Sequence, residues 1–289
     1  MNLSELICNR MRNDQHLSKL LAYYYDNPAV FEDEVPPDQQ DGWGRRVQYP
    51  RICYHINMQA NQERSSSGEL LVSIHTRKDS PIITELERYV KSCLQDVIMS
   101  PNDSSPFCVA WSKSESYINA GAEVISMDIL FDILEYSTQE TTDPDPVLAL
   151  SNELKNIYPE ALIIGVDALP DYTDPSICPV IYVRLQSIAE TTGHCEHSII
   201  WFLVRLGVHL LYASQRDRLI MSAGIHQRLT MGEEIIMLDD SPMIIQQNTL
   251  NNRADYLREG QIAMTCKYGC LRHRRENKKV MTVHNIYLN

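Results

Sequence analysis

At 289 residues, 44% of them hydrophobic and 22% charged, the chain is long enough for two domains of ordinary size, each burying a core of its own. Its 38 acidic residues outweigh 26 basic ones and leave a net charge of −12, which excludes a surface that neutralises nucleic-acid phosphates over any wide area. No run approaches the ~20 apolar residues that cross a bilayer, and the opening residues lack the basic-then-apolar order of an export signal, so a cytosolic protein with reduced cysteines is expected.

Leu3, Leu6, Ile7 and Met11, then Leu17, Leu20 and Leu21, predict an opening helix in two pieces around Asn13 and Asp14. Asp26 to Gly44 holds Pro28, Pro36 and Pro37 beside Glu32, Asp33, Glu34, Asp38 and Asp41, which is loop chemistry, expected to be exposed and mobile. Ile52, Tyr54, Ile56 and Met58 alternate with Arg51, Cys53, His55 and Asn57 as in a half-buried strand. Ala60 to Gly68 is polar enough for a hairpin tip. The stretch from Gly68 to Met99 organises this half: Leu70, Val72 and Ile74 form a strand, and after Asp79-Ser80-Pro81 an apolar stripe (Ile82, Ile83, Leu86, Tyr89, Val90, Cys93, Leu94, Val97) forms a helix that lies on it. Phe107 to Trp111 reads as a short strand and Asn119-Ala120-Gly121 as a turn. Ile125, Met127, Ile129, Phe131 and Ile133 face one way on a last strand, with Ser126, Asp128 and Asp132 on the other side.

Ser137 to Pro146 has no periodicity and marks the boundary. The expected division is a first domain over 1–138, a linker over 139–146 and a second domain over 147–289. Val147, Leu150 and Leu154 predict a helix, and Ala161 to Val166 a buried strand. The pattern then echoes the first half. Cys178-Pro179 with Ile181, Val183 and Leu185 repeats Pro50 with Ile52, Tyr54 and Ile56, across a polar tip from Gln186 to His197. Ile200 to Leu210 stands for Leu70 to Ile74, and Arg216 to Met231 for the first helix. Ile262, Met264, Cys266 and Tyr268 stand for Ile125, Met127, Ile129 and Phe131. The fold class is α+β: two tandem domains of similar topology, each a mainly antiparallel sheet with helices on one face.

The chemical candidates are few. His194, Cys195 and His197 crowd together, and Cys266, Cys270 and His273 form a C-x3-C-x2-H run that zinc would accept. On a straight strand, however, Cys266 and Cys270 stand ~13 Å apart, too far to share one ion. His55, His75 and His209 sit at outward strand positions, as surface or interface histidines do. No G-x-S-x-G elbow, glycine-rich phosphate loop or H-E-x-x-H is present. The reading is therefore a non-enzymatic protein without metal or cofactor, with a metal-dependent enzyme as the alternative of another class. The mixed sheet faces, Trp201 and Leu203 opposite Phe202 and Leu130 and Leu134 beside the aspartates, resemble subunit interfaces. The candidate assembly residues are Arg205, Trp201, Asp128 and Asp132, with Arg272, Arg274 and Arg275 in a basic C-terminal run.

The order of elements in residues 1–136 carries a resemblance. An N-terminal helix, an acidic proline-containing loop, a strand with Pro50, Ile52 and Tyr54, a polar tip, a strand ending in Thr76-Arg77, a helix after Asp79-Ser80 and a last strand of Ser126 to Ile129 type resemble the tail terminator or tail completion proteins of long-tailed bacteriophages. The resemblance implies a virion structural protein, assembled in the host cytoplasm. It implies a six-fold ring that ends the tail tube and meets the head connector, whose partners are its own copies, the tube protein, the connector or adaptor and the tail sheath. A head-to-tail adaptor or a sheath-capping neck protein shares these features. This chain is about twice as long, so three chains of two domains or six chains with a projecting second domain are both open. Such a ring surrounds DNA without binding it specifically, and touches no membrane.

Overall fold

The computed structural model describes residues 1–44, 47–59, 66–102, 104–118, 123–139, 141–191, 199–212 and 214–271. Asn2 opens α1 (Leu3–Asn13) with a reciprocal cap: its side chain accepts from the Glu5 N–H while Glu5 accepts from the Asn2 N–H. The break at Asn13 and Asp14 is real, because Asp14 accepts from the Leu17 N–H and starts α2 (Leu17–Leu20). A small hairpin, β1 (Tyr23–Tyr24) with β2 (Asn27–Pro28), leads to β3 (Val30–Glu32). The first half continues with β4 (Arg51–Met58), β5 (Gly68–Arg77), α3 (Ile83–Leu94), β6 (Ile98–Met99), β7 (Phe107–Ile118) and β8 (Val124–Glu135).

The second half runs α4 (Pro146–Ile157), β9 (Leu162–Ile163), β10 (Tyr172–Thr173), β11 (Val180–Glu190) and β12 (Ile199–Leu211). Then come α5 (Gln215–Gly232), β13 (Glu234–Ile236), β14 (Pro242–Leu250) and β15 (Ile262–Leu271).

The two sheets have one connectivity. The first is ordered β10-β6-β7-β8-β5-β4-β3 and the second β13-β14-β15-β12-β11-β9. In each, the terminal strand (β3 or β9) runs parallel to its neighbour and the other pairs named here are antiparallel. Register ties the halves residue to residue. Val30 opposite Ile52, and Ile52 opposite Ile74, match Ile163 opposite Ile181 and Ile181 opposite Leu210. Carried across the sheet, Ile129 then corresponds to Ile262, Val109 to Ile245 and Ile98 to Glu234. Each half also carries a bulge where β7 or β14 meets its neighbour.

Several expectations are corrected. β15 corresponds to β8 four residues away from the expected match: Ile262 stands for Ile129, not Ile125. The counterpart of Met127 falls on Gly260, whose φ of +78° and whose close approach to the Val208 carbonyl suit only a residue without Cβ. Beside it, the Gln261 side-chain amide bonds the N–H and C=O of Leu210 in place of a strand partner. β7 is longer than Phe107 to Trp111, β14 was not anticipated, only Leu162–Ile163 pairs within Ala161 to Val166, and Gln186 to Glu190 is strand rather than tip. The acidic stretch from Asp26 to Gly44 is anchored: Val30 is buried beside Ile52, and Phe31 and Trp43 form a small core with Ala22 and Ala29.

One core lies between each sheet and its helices. Under α1 and α3 sit Leu6, Met11, Ile52, Val72, Leu86 and Phe131. Under α4 and α5 sit Leu150, Leu154, Ile181, Leu206, Ile225 and Met264. A third core joins the halves: Ile98, Cys108, Ala110, Leu134 and Tyr136 meet Ile164, Val180, Tyr182, Leu211 and Leu257. The segment between them is tied down as well, with Asp145 accepting from Thr141, Val147 and Leu148, and Thr142 bonded to Tyr268. It is not a free linker. We expect Leu134→Ala, at a position 4% exposed, to lower stability by about 2–4 kcal/mol in one transition that melts both halves. Two resolved calorimetric transitions, only one of them displaced, would show that the halves fold independently.

Candidate functional site

The joint between the halves sets polar groups around an enclosed space beside its apolar core. Strands β7 and β11 each begin with four consecutive buried residues, Phe107 to Ala110 and Val180 to Val183, so both of their faces are covered there. On the face away from the helices, Tyr136 packs edge-on to Tyr182 at 5.2 Å, and both rings approach His209 at 6.3 and 5.5 Å. A cavity of about 180 Å³ opens beside them, lined also by Ser67, Glu135, Arg184 and Arg258.

The polar atoms of the joint are spent on structure. Tyr136 Oη donates to the Leu257 carbonyl at 3.1 Å and Tyr182 Oη to the Ser137 carbonyl at 2.8 Å. Arg258 bridges the halves, pairing with Asp132 at 2.5 Å and Asp255 at 2.8 Å. Burial holds the Tyr136 phenol well above its ordinary range and pushes Tyr182 up to about 12. Asp96, its carboxyl raised by burial, faces Tyr256, over whose ring the Arg218 guanidinium lies at 3.9 Å. His209 is 2% exposed, and its Nδ1–H donates to the Tyr256 carbonyl at 3.2 Å. Burial pushes this imidazole down to about 4, so it is neutral at physiological pH.

These positions correct part of the sequence reading. His209 is not a surface histidine, because the first half covers it. Asp132 and Leu134 are not free assembly groups, since both are used inside the chain. Asp128 remains on the open face of the first sheet, accepting from Ser73 Oγ at 2.6 Å, and His75 beside it bonds Ser126. Arg205 is exposed on the open face of the second sheet, and Trp201 lies half-buried under Lys267 Nζ at 4.7 Å. Arg272, Arg274 and Arg275 lie outside the described residues.

The metal candidate does not assemble from what is described. β15 pairs with β12 without a bulge from Ile262 to Leu271, so Cys266 and Cys270 keep their strand separation. Burial raises the Cys266 thiol to about 12. Among the described residues no three His, Cys, Asp or Glu side chains are placed to hold a metal ion. His194, Cys195, His197 and His273 lie outside them. The described cysteines are free thiols, and among the described residues no helix is long and apolar enough to cross a membrane. Compared with known proteins, the chain matches no protein-family model and no curated sequence.

The joint residues escaped the sequence reading, although a signal was present. Four apolar residues in a row at Val180 to Val183, in a strand whose later residues are mostly polar and exposed, indicate burial on both faces at that end only. The neutral His209 has a measurable consequence. Its pKa in the folded chain lies below the ~6.5 of an unfolded histidine. The stabilising neutral state is therefore complete above pH ~6.5 and is lost as pH falls toward 4, by about 3 kcal/mol. Thermal melts from pH 7 to 4 should show a falling Tm, and His209→Phe should flatten most of that slope. His75, also lowered by burial, adds to the slope in the same direction. An unchanged slope in the variant would mean that His209 is not what titrates.

Proposed function

We propose that this chain is a self-assembling structural protein of a long-tailed phage tail or neck, a ring component of the tail terminator or tail completion type. The observation that carries the reading is the joint. Two units of one connectivity meet through non-equivalent edges, the β6-β7-β8 side of the first and the β9-β11-β12 side of the second. Such a contact is heterologous, and heterologous contacts build rings where isologous ones stop at pairs.

Other features support it. Trp111 within β7, and Tyr117, Ile118 and Ile188 toward the outer ends of the long strands, are exposed, groups suited to contact with neighbouring subunits or the tube. The open faces of the two sheets differ, Arg205 and Lys267 on the second against Asp128 and Glu115 on the first, as the unequal faces of a ring subunit must. A net charge of −12 lets a genome pass without adhering. In this reading the tail tube lies on one side of the ring and the head connector on the other.

The test is the mass of the purified chain by light scattering, with negative-stain images of the same fraction, alone and with tail tubes. Closed rings of three or six chains are expected, free or at tube ends. Particles of one chain in both conditions would refute the reading. Arg205→Glu should preserve the circular dichroism spectrum and the Tm while reducing ring yield severalfold. Full yield would place the contact elsewhere.

A further inference from the structure

The two halves share a connectivity but treat one connector differently. In the second half, the stretch between β9 and β11 leaves its own sheet, and β10 within it pairs with β6 of the first half, Tyr172 opposite Met99 and Thr173 opposite Ile98. The Ser100 N–H completes the seam by donating to the Asp171 carbonyl at 3.0 Å. In the first half, the stretch between β3 and β4 folds back instead. Trp43, 1% exposed, packs against Tyr24 at 5.1 Å and Phe31 at 5.7 Å, and its Nε1–H donates to the Pro37 carbonyl.

Register makes the two connectors counterparts. Ala29 and Phe31 hold the places of Leu162 and Ile164, which in the second half belong to the joint core. Trp43 stands as far before Arg51 as Tyr172 does before Val180. In the closed first half, Trp43 therefore fills a place that the neighbouring unit fills in the second.

The strand that would receive the first connector is open. β13 corresponds to β6, Ile235 to Met99 and Pro242 to Pro106. The Ile245 N–H donates to the Glu233 carbonyl and the Met237 N–H to the Ser241 carbonyl. Glu233 and Met237 thus bond toward β14, and by alternation Glu234 and Ile236 turn their N–H and C=O groups outward. β13 ends its sheet among the described residues. The Ile236 N–H occupies the place of the Ser100 N–H, which is bonded in the first half. Ile236, Leu238 and Ile244 around this edge are 55, 62 and 42% exposed.

We propose that the outer edge of β13 takes the segment 33–44 of a second copy of this chain as an added strand, with its Trp43 in the role that Tyr172 plays within the chain. The contact continues the internal joint from chain to chain, and an unpaired strand edge is the surface that accepts such an addition. Glu234 on the edge and Asp38 and Asp41 on the segment are like charges, so the association strengthens with salt. This contact deepens the self-assembly proposed above and rests on it.

The test uses the whole chain and a fluorescein-labelled peptide of residues 33–44. Ile236→Pro removes the outward N–H and leaves the β13 to β14 bonds in place; Leu238→Glu, at an exposed position, serves if the proline variant loses its native circular dichroism. At about 0.3 M salt the peptide anisotropy should saturate with the unaltered chain and show about tenfold weaker binding to the variant. Equal binding to both, or none to the unaltered chain, overturns the proposal. Rings that form undiminished from Ile236→Pro would overturn this contact while leaving the ring itself standing, whereas single chains throughout would remove both.

Discussion

The structure depends on how the uncovered faces of two open sheets are buried. A sheet with helices on one side has a second face that must meet water, another chain or another part of the same chain. Here the faces are open over most of their area and closed at one corner, where Leu134, Tyr136, Val180, Tyr182 and Leu211 exclude water from each other. Full burial of each such side chain is worth roughly 1.5–3 kcal/mol, so this corner stabilises the pair of halves by an amount comparable to the whole margin of an ordinary domain. The ion pair of Arg258 with Asp132 and the phenol bonds of Tyr136 and Tyr182 contribute less than the burial but fix its geometry, because a shift of one residue would leave their partners unpaired.

That corner explains why the halves keep one topology and differ in residue identity. On the helix-facing sides, counterparts remain apolar: Ile52 and Ile181, Val72 and Val208, Phe131 and Met264. On the other sides they diverge with surroundings. Val180, Tyr182 and Leu211 lie in the joint, while their counterparts Arg51, Cys53 and His75 face the aromatic lobe or water. Leu134 and Ile98 lie in the joint, and their counterparts Lys267 and Glu234 do not. A core constrains chemistry, whereas an open face is free to change with whatever lies against it.

How much of this was legible follows from the same division. Single-face periodicity placed β4, β5, α3, β8, β11, β12 and β15, because each has one buried side and a clear alternation or stripe. Pro50 and Pro179 were matched correctly across the halves for the same reason. β14 was hidden because its central residues Gln246, Gln247 and Asn248 are polar, and its pairing is supplied by its neighbour rather than by its own pattern. α5 gave an untidy stripe because only Ser222, Ile225 and Leu229 are buried along it. The match of β15 slipped by four residues because a strand repeats every second residue, so alternation alone fixes the face and not the register. The candidate site was less legible. Asp132 and His209 read as outward residues, as they are relative to their own sheets, and nothing local shows that the other half stands in front of them.

The two classes of contact in this chain differ in what they ask of assembly. The internal joint is apolar, with a buried histidine and two buried phenols, and joins segments tethered at high effective concentration. A copy of it between chains would set Arg51, Cys53 and His75 of one first half against Glu234, Ile244 and Lys267 of another's second half, a polar pairing with far less apolar area to bury. Such a contact forms only where concentration or a template brings chains together, because loss of translational freedom offsets much of its gain. The ring proposed above, closing at the end of a growing tube and not before, requires that inequality. In the proposed assembly the same sheet edges would serve two ends, permanent within the chain and conditional between chains, through substitution on their outer faces.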